Sequence, residues 1–232
     1  MLDIRAICFD LDDTLWDIWP VIVRAEQAMV EFLALHYPKA VIGVTIETLR
    51  AAREEVARRH PQKRHDFSFL RQQALREHSL RCGYTDQMAH EAFEVFLSAR
   101  NQVELYEDVP LTLQLLQRRF RLFTASNGNA DLSRIGIAHC FERSVAARDV
   151  GALKPHPAVF LKVVEATDLQ LQEVLYVGDD PVADIEGARQ AGMRAVWINR
   201  DGGEWPTHLA GPEHTVTTLR GLATLLGCHP SA

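Results

Sequence analysis

The chain contains no apolar run near the roughly 20 residues that a membrane-spanning helix needs, so no such helix is expected. Cysteine is sparse. Cys8, Cys82, Cys140 and Cys228 lie too far apart for metal-type spacing. Cys8 and Cys140 sit among apolar residues and read as small core side chains, a usage that suits a reducing cytoplasm. There is no long basic tract, and the net charge is -6. General binding to nucleic acid or to an anionic membrane is therefore not expected. Acid and base interrupt Met1-Leu2-Asp3-Ile4-Arg5 at once, which is not a signal-peptide layout. A cytoplasmic protein is the expectation. Internal repeats and low-complexity segments are also missing. What remains is 232 residues, 47% hydrophobic and 24% charged. That is enough for one large domain, or one domain with a smaller insert.

Ala6-Ile7-Cys8-Phe9 reads as a short buried strand. A helical stretch follows. Apolar residues recur at helical spacing from Trp19 through Tyr37, and Pro38 ends the run. Thr45 is a suitable N-cap for a helix through Arg59. Ser68 to Leu80 is a third helix, and Thr85 or Asp86 opens a fourth that runs to about Gln102. The character then changes. Helices at Pro110–Arg119, Pro157–Ala166, Ile185–Ala191 and Leu219–Leu226 alternate with strands at Leu122–Ala125, Ser144–Ala147, Val174–Val177 and Ala195–Ile198. Strands alternating with helices predict an α/β fold with a doubly wound parallel sheet. The helical block, 17–102, reads as an insert, and the α/β core as 1–16 joined to 103–232.

Ligands of open α/β sheets bind at the carboxyl ends of the strands. Four such ends carry polar residues. The first has Asp10 and Asp12, two residues apart and so directed to the same side. Clustered carboxylates repel, which raises the pKa of one unless a cation intervenes. The second end has Ser126-Asn127-Gly128. The third is followed by Lys154-Pro155. The fourth has Gly178-Asp179-Asp180, with Asp184 beyond it. Taken singly, each is also an ordinary turn, a solvated lysine or a helix N-cap. Taken together, in order on successive strand ends, they point to a catalytic site. Asp13 and Asp180 follow Asp12 and Asp179 directly, so both are expected to point away and to shape turns.

These residues resemble the haloacid dehalogenase (HAD) superfamily, in its Asp-x-Asp-x-Thr, Ser-Asn-Gly, Lys-Pro and Gly-Asp-Asp-x-x-x-Asp motifs. The resemblance implies a Rossmann-like core, with the helical insert as a C1 cap. It implies Asp10 as a nucleophile that forms an aspartyl-phosphate, and Asp12 as the acid and base. Mg²⁺ would be held by Asp10, the Asp12 carbonyl and Asp179. Ser126, Asn127 and Gly128 would bind phosphate, with Thr124 as an alternative hydroxyl. Lys154 would offset negative charge. Asp184 would orient Lys154 or metal-bound water, and Thr14 would fix the Asp turn by local hydrogen bonding.

Dehalogenases of the superfamily usually lack the second Asp, so Asp12 favours phosphate chemistry. A phosphomutase shares both residues and remains an alternative, as does a haloacid dehalogenase. A non-catalytic phospho-acceptor or binding module is a more distant one. A small phosphate ester is the expected substrate. His65, Phe67 and Arg71 are candidates for the site mouth. Arg71 could bind a second anion or stack on a ring. Trp16 and Trp19 either contact a flat substrate or pack at a hinge. The full chain also resembles HAD phosphatases of the flavin pathway, in Asp17–Glu26, Ser126–Ala130 and Met193–Ile198. That resemblance implies FMN or a phosphorylated riboflavin precursor as substrate.

Overall fold

The computed structural model describes residues 4–229. In chain order, β1 (Ala6–Phe9) is followed by four helices: α1 (Ile18–His36), α2 (Ile46–Arg59), α3 (Phe67–Arg81) and α4 (Asp86–Arg100). Next come α5 (Val109–Gln117), β2 (Arg121–Ser126), the short α6 (Leu132–Ile135), β3 (Arg143–Ala146) and the short α7 (Ala147–Val150). The chain continues through α8 (Pro157–Val164), β4 (Val174–Gly178), a π-helical turn (Pro181–Glu186), α9 (Gly187–Ala191) and β5 (Arg194–Ile198). It closes with β6 (Thr215–Val216) and α10 (Leu219–Leu225).

Two compact units emerge. The first comprises 4–17, 104–128 and 136–229, and the second comprises 18–103 with 129–135. The segment 129–135, expected in the α/β core, therefore groups with the helices. Its local contacts explain why. The Asp131 amide donates to Asn101 Oδ1 at 2.8 Å, and Asn129 Nδ2 donates to Ser68 Oγ at 3.1 Å.

In the α/β unit the six strands pair in the order β3-β2-β1-β4-β5-β6, all parallel. The doubly wound sheet expected from the alternation of elements is present. Ala6, Ile7, Cys8 and Phe9 are fully buried, as a central parallel strand covered on both faces requires. Phe9 lies level with Thr124 of β2 and Val177 of β4. That register sets Asp10, Ser126 and Gly178 at one end of the sheet. The order in which successive strands are added reverses between β1 and β4, where ligands of such folds bind. Beneath the sheet, Phe123, Val145, Val159, Phe160, Tyr176 and Ile185 form the core. β6, only two residues long, was not expected, because Thr215-Val216 is too short to show a period.

In the helical unit, Ala25, Met29, Leu33, Leu75, Ala92, Phe93 and Phe96 form a core of their own. Thr45 caps α2 by accepting from the Thr48 amide, and Asp66 caps α3 by accepting from the Phe69 amide at 2.9 Å. Both caps satisfy first-turn amides that have no partner within the helix.

Candidate active site

Asp10, Asp12, Ser126, Asn127, Gly128, Lys154, Asp179 and Asp184 all line one cavity of about 170 Å³, together with Asp180 and Ala183. A larger cavity of the α/β unit, about 650 Å³ between α5 and α10, contains none of the predicted residues.

Lys154 is the hub. Its Nζ donates to Asp10 Oδ1 at 2.5 Å, to Asp184 Oδ1 at 2.6 Å and to the Tyr176 hydroxyl at 3.0 Å. All four side chains are buried. Burial alone would push the Lys154 ammonium down, but Asp10 and Asp184 outweigh it and hold the pKa above its ordinary value. Lys154 is therefore a permanent cation. Burial drives the Asp10 carboxyl upward, and the charges of Asp184 and Asp179 add to this against the pull of Lys154. Asp179 is raised to about 7, first by burial and then by Asp184.

The three carboxylates Asp10, Asp179 and Asp184 can each bring an oxygen within 4.8 Å of the others. With Lys154 they leave a surplus of two negative charges, the charge of one divalent cation. An all-oxygen donor set fits a hard ion such as Mg²⁺. Asp184 is already committed. Its Oδ1 accepts from Lys154, and its Oδ2 accepts from the Asp180 amide at 3.0 Å. Asp179 Oδ1 accepts from Thr14 Oγ1 at 2.9 Å. Among the described residues, Asp10 Oδ2 and Asp179 Oδ2 carry no recorded hydrogen bond. These two open oxygens are the ones suited to hold the ion.

The backbone explains how Asp184 reaches this place. Asp180 caps the π-helical turn, its Oδ1 accepting from the amides of Val182 and Ala183, both at 2.8 Å. The Ile185 amide donates to the Asp180 carbonyl five residues back, at 3.3 Å. The helix expected over Ile185–Ala191 is therefore a π turn that runs into a short α-helix, a form frequent at functional sites. It presses the Asp184 carboxylate against Gly178. A Cβ at Gly178 would lie 2.4 Å from Asp184 Cγ.

The expectation for Thr14 needs correction. Thr14 does not act locally, but bonds to Asp179 from 165 residues away. The Asn127 carboxamide is turned to Lys154, accepting from its amide at 2.7 Å and donating to its carbonyl at 3.2 Å. Asn127 therefore positions the loop that presents Lys154. Thr124 donates to Ser144 Oγ at 2.7 Å, while Ser126 sits in the cavity and accepts from the Gly128 amide at 2.9 Å. Asp13 adopts φ 60°, the left-handed turn conformation that Asp tolerates. Trp16 is fully buried and donates to Asp12 Oδ1 at 2.9 Å, so it packs and orients Asp12. Trp19 is exposed.

Sequence reasoning missed three contributors. Tyr176, midway along β4, places its hydroxyl 2.9 Å from the Ala125 carbonyl and 3.1 Å from Asp184 Oδ1. Burial and the neighbouring Asp184 charge hold it neutral, as a phenol. Trp197 Nε1 donates to the Asp179 carbonyl at 2.7 Å. Arg200 braces the Asp turn through the Thr14 carbonyl at 2.8 Å, and it also pairs with Asp108. In sequence these look like a strand tyrosine, a strand tryptophan and a loop arginine.

The model of the haloacid dehalogenase-like hydrolase family matches residues 4–192. The chain belongs to the haloacid dehalogenase-like hydrolase family. Among curated HAD relatives, the 5-amino-6-(5-phospho-D-ribitylamino)uracil phosphatase YigB of Escherichia coli is 30% identical, over 96% of each chain. The N-acylneuraminate-9-phosphatase of Rattus norvegicus is 26% identical, over 96% of this chain and 94% of that one. A crystal structure titled 2-haloacid dehalogenase, from Pseudomonas syringae pv. Tomato DC3000, is 39% identical with a TM-score of 0.90, covering 97% of this chain and 98% of that chain.

Proposed function

We propose that this enzyme, a HAD-type phosphatase, hydrolyses small phosphate monoesters with Mg²⁺ through a phosphoaspartate on Asp10. The observation that carries the reading is the Asp10–Lys154–Asp184 cluster beside Asp179, with Asp12 and Ser126 on the same cavity. Asp10 attacks phosphorus in line with the ester oxygen. The P–O bond to the alcohol breaks, and Asp12 protonates the departing oxygen. Asp12 then takes a proton from water, which attacks the phosphoaspartate and releases inorganic phosphate and free Asp10. Lys154 and the hydroxyl and amides around Ser126 offset charge on the phosphoryl oxygens. Asp10, the Asp12 carbonyl and Asp179 would hold a Mg²⁺ ion, which would supply charge neutralisation for the attack. The helical unit serves as the cap, and the protein works in the cytoplasm.

The substrate reading is FMN or a phosphorylated ribityl-aminouracil. It rests on the likeness to YigB along nearly the whole chain. The likeness to a structure titled 2-haloacid dehalogenase favours a second reading, halide displacement by the same Asp10. That chemistry does not need Asp12 as an acid, because a halide leaves without a proton.

The test is phosphate release from an ester panel that includes FMN and sugar phosphates, with and without Mg²⁺, beside halide release from haloacids. FMN turnover that needs Mg²⁺ and falls ~10³-fold or more in Asp10→Asn supports the full reading. A flat ester profile removes the flavin assignment and keeps the mechanism. Halide release without phosphate release overturns the proposal.

A further inference from the structure

At the end of the sheet where Gly178 of β4 pairs with Trp197, β5 runs out at Ile198 and Arg200 follows in the loop. Its guanidinium is used on two sides. Nη1 and Nη2 donate to Asp108 Oδ1 and Oδ2 at 3.1 Å and 3.5 Å, and Nε donates to the Thr14 carbonyl at 2.8 Å. The central carbon of the fork lies 3.9 Å from the centre of the Tyr106 ring. Asp108 Oδ2 also accepts from the Leu219 amide at the start of α10. The Arg200 and Asp108 side chains are 9% and 11% exposed. Every residue of this cluster belongs to the α/β unit.

Thr14 is fully buried and is gripped from both sides. Its carbonyl accepts from Arg200, and its hydroxyl donates to Asp179 Oδ1 at 2.9 Å. Among the described residues, Arg200 is the recorded donor to that carbonyl. A buried carbonyl without a donor is costly, so the Asp turn holds its shape while Arg200 stays in place. Two of the three groups suited to hold Mg²⁺ depend on that shape. The Asp12 carbonyl lies in the same turn. Asp179 is aimed by Thr14 through one carboxylate oxygen, which leaves the other for the ion. An arginine that served only to tie α10 to the sheet would be complete with Asp108. The Nε bond carries the Asp108 pair one step further, to the turn on which the metal ligands sit.

We propose that Arg200, set by Asp108 and Tyr106, is a positioning residue for the reaction: by holding the Thr14 carbonyl it aims the Thr14 hydroxyl at Asp179, and so fixes the oxygen that would bind Mg²⁺. The inference rests on the Mg²⁺ part of the reading above and adds a residue to it. Arg200 touches neither the ion nor the phosphate. Its effect is to keep the carboxylate and the turn carbonyl in place before the ion arrives, as outer partners of metal ligands do.

The test is Mg²⁺ binding followed by calorimetry, beside steady-state kinetics. Arg200→Met is expected to raise the Mg²⁺ dissociation constant about ten- to hundredfold, the usual span for loss of such a partner. Its kcat/KM should fall at limiting Mg²⁺ and recover most of the way at saturating Mg²⁺. A merely structural arginine would lower the unfolding temperature and leave the dissociation constant as in wild type. Thr14→Val removes the hydroxyl and keeps the shape, and it should raise the constant similarly. The double variant should bind scarcely more weakly than either single one, because both act through the same bond. An Arg200→Met that binds Mg²⁺ like wild type, or two effects that multiply in the double variant, overturns the proposal. A wild type that binds no Mg²⁺ sinks the metal reading itself and the proposal with it, so the two failures are told apart by which protein shows them. Should Arg200→Met not fold, Arg200→Lys carries the same comparison. Its compact ammonium cannot reproduce the fork that serves Asp108 and Thr14 together, so a smaller rise of the same kind is expected, again absent in the Thr14→Val background.

Discussion

Replacing Lys154 by methionine tests the charge logic of the site. Lys154 is 5% exposed, and its ammonium sits 2.5 Å from Asp10 and 2.6 Å from Asp184. Methionine keeps most of the volume and removes the cation, leaving Asp10, Asp179 and Asp184 with no buried counter-charge. Removing one member of a buried ion pair costs about 3–5 kcal/mol. At roughly 2–4 °C per kcal/mol for a chain of this size, the unfolding temperature should fall by about 6–20 °C at pH 8. The penalty must also depend on pH. In the variant the folded carboxyls hold protons at pH values where the unfolded ones have lost them. The folded state then binds more protons, so stability falls as pH rises. The gap between wild type and Lys154→Met should be small near pH 5 and widen toward pH 8. Added Mg²⁺ should narrow it at pH 8. The assay is thermal unfolding of both proteins across that range, with and without Mg²⁺. A gap below 2 °C at pH 8, or one that does not change with pH, would refute the charge reasoning.

Two further outcomes follow from the same geometry. Gly178→Ala places a Cβ 2.4 Å from Asp184 Cγ. It should cost about 1–3 kcal/mol by overpacking and lower kcat/KM by displacing the partner of Lys154; denaturant unfolding beside steady-state kinetics reads both, and a fully active, fully stable variant would contradict the packing. Asp179, raised to about 7 in the absence of metal, must lose its proton to hold Mg²⁺. The Mg²⁺ dissociation constant measured by calorimetry should therefore be flat above about pH 8 and rise about tenfold per unit below 7. By the same linkage, the metal-free protein should lose stability as pH rises from about 4 to 7 and change little from this group above that.

How much of the molecule is legible in its sequence depends on how local each cause is. The buried strands are readable because Ala6–Phe9 and Val174–Val177 are uninterrupted apolar runs ended by Asp10 and Gly178. The four helices of the insert are readable because their apolar residues repeat at helical spacing and end at Pro38, His60-Pro61 and Gly83. Asp10, Asp12, Lys154 and Asp184 could be singled out because the sheet must bring its strand ends together. Less accessible was anything set by a distant partner. Nothing near Asn127 in the sequence shows that its carboxamide holds the backbone of Lys154. Thr14 looks like a local turn residue until Asp179 is found beside it. Arg71 reads as a candidate for the site mouth, and only the fold shows it bonded to Glu26 and stacked on Phe96.

The sequence by itself determined the α/β alternation, the helical insert and the identity of the acidic and basic groups, since periodicity, turn residues and motif spacing are properties of neighbouring residues. The tertiary structure alone decided the strand order, the grouping of 129–135 with the helices, the place of Tyr176 among Lys154 and Asp184, and which carboxylate oxygens stay open. Those outcomes depend on contacts between distant residues, such as Thr14 and Asp179, 165 positions apart. At that separation, packing and charge in a buried space set the geometry, and spacing along the chain does not.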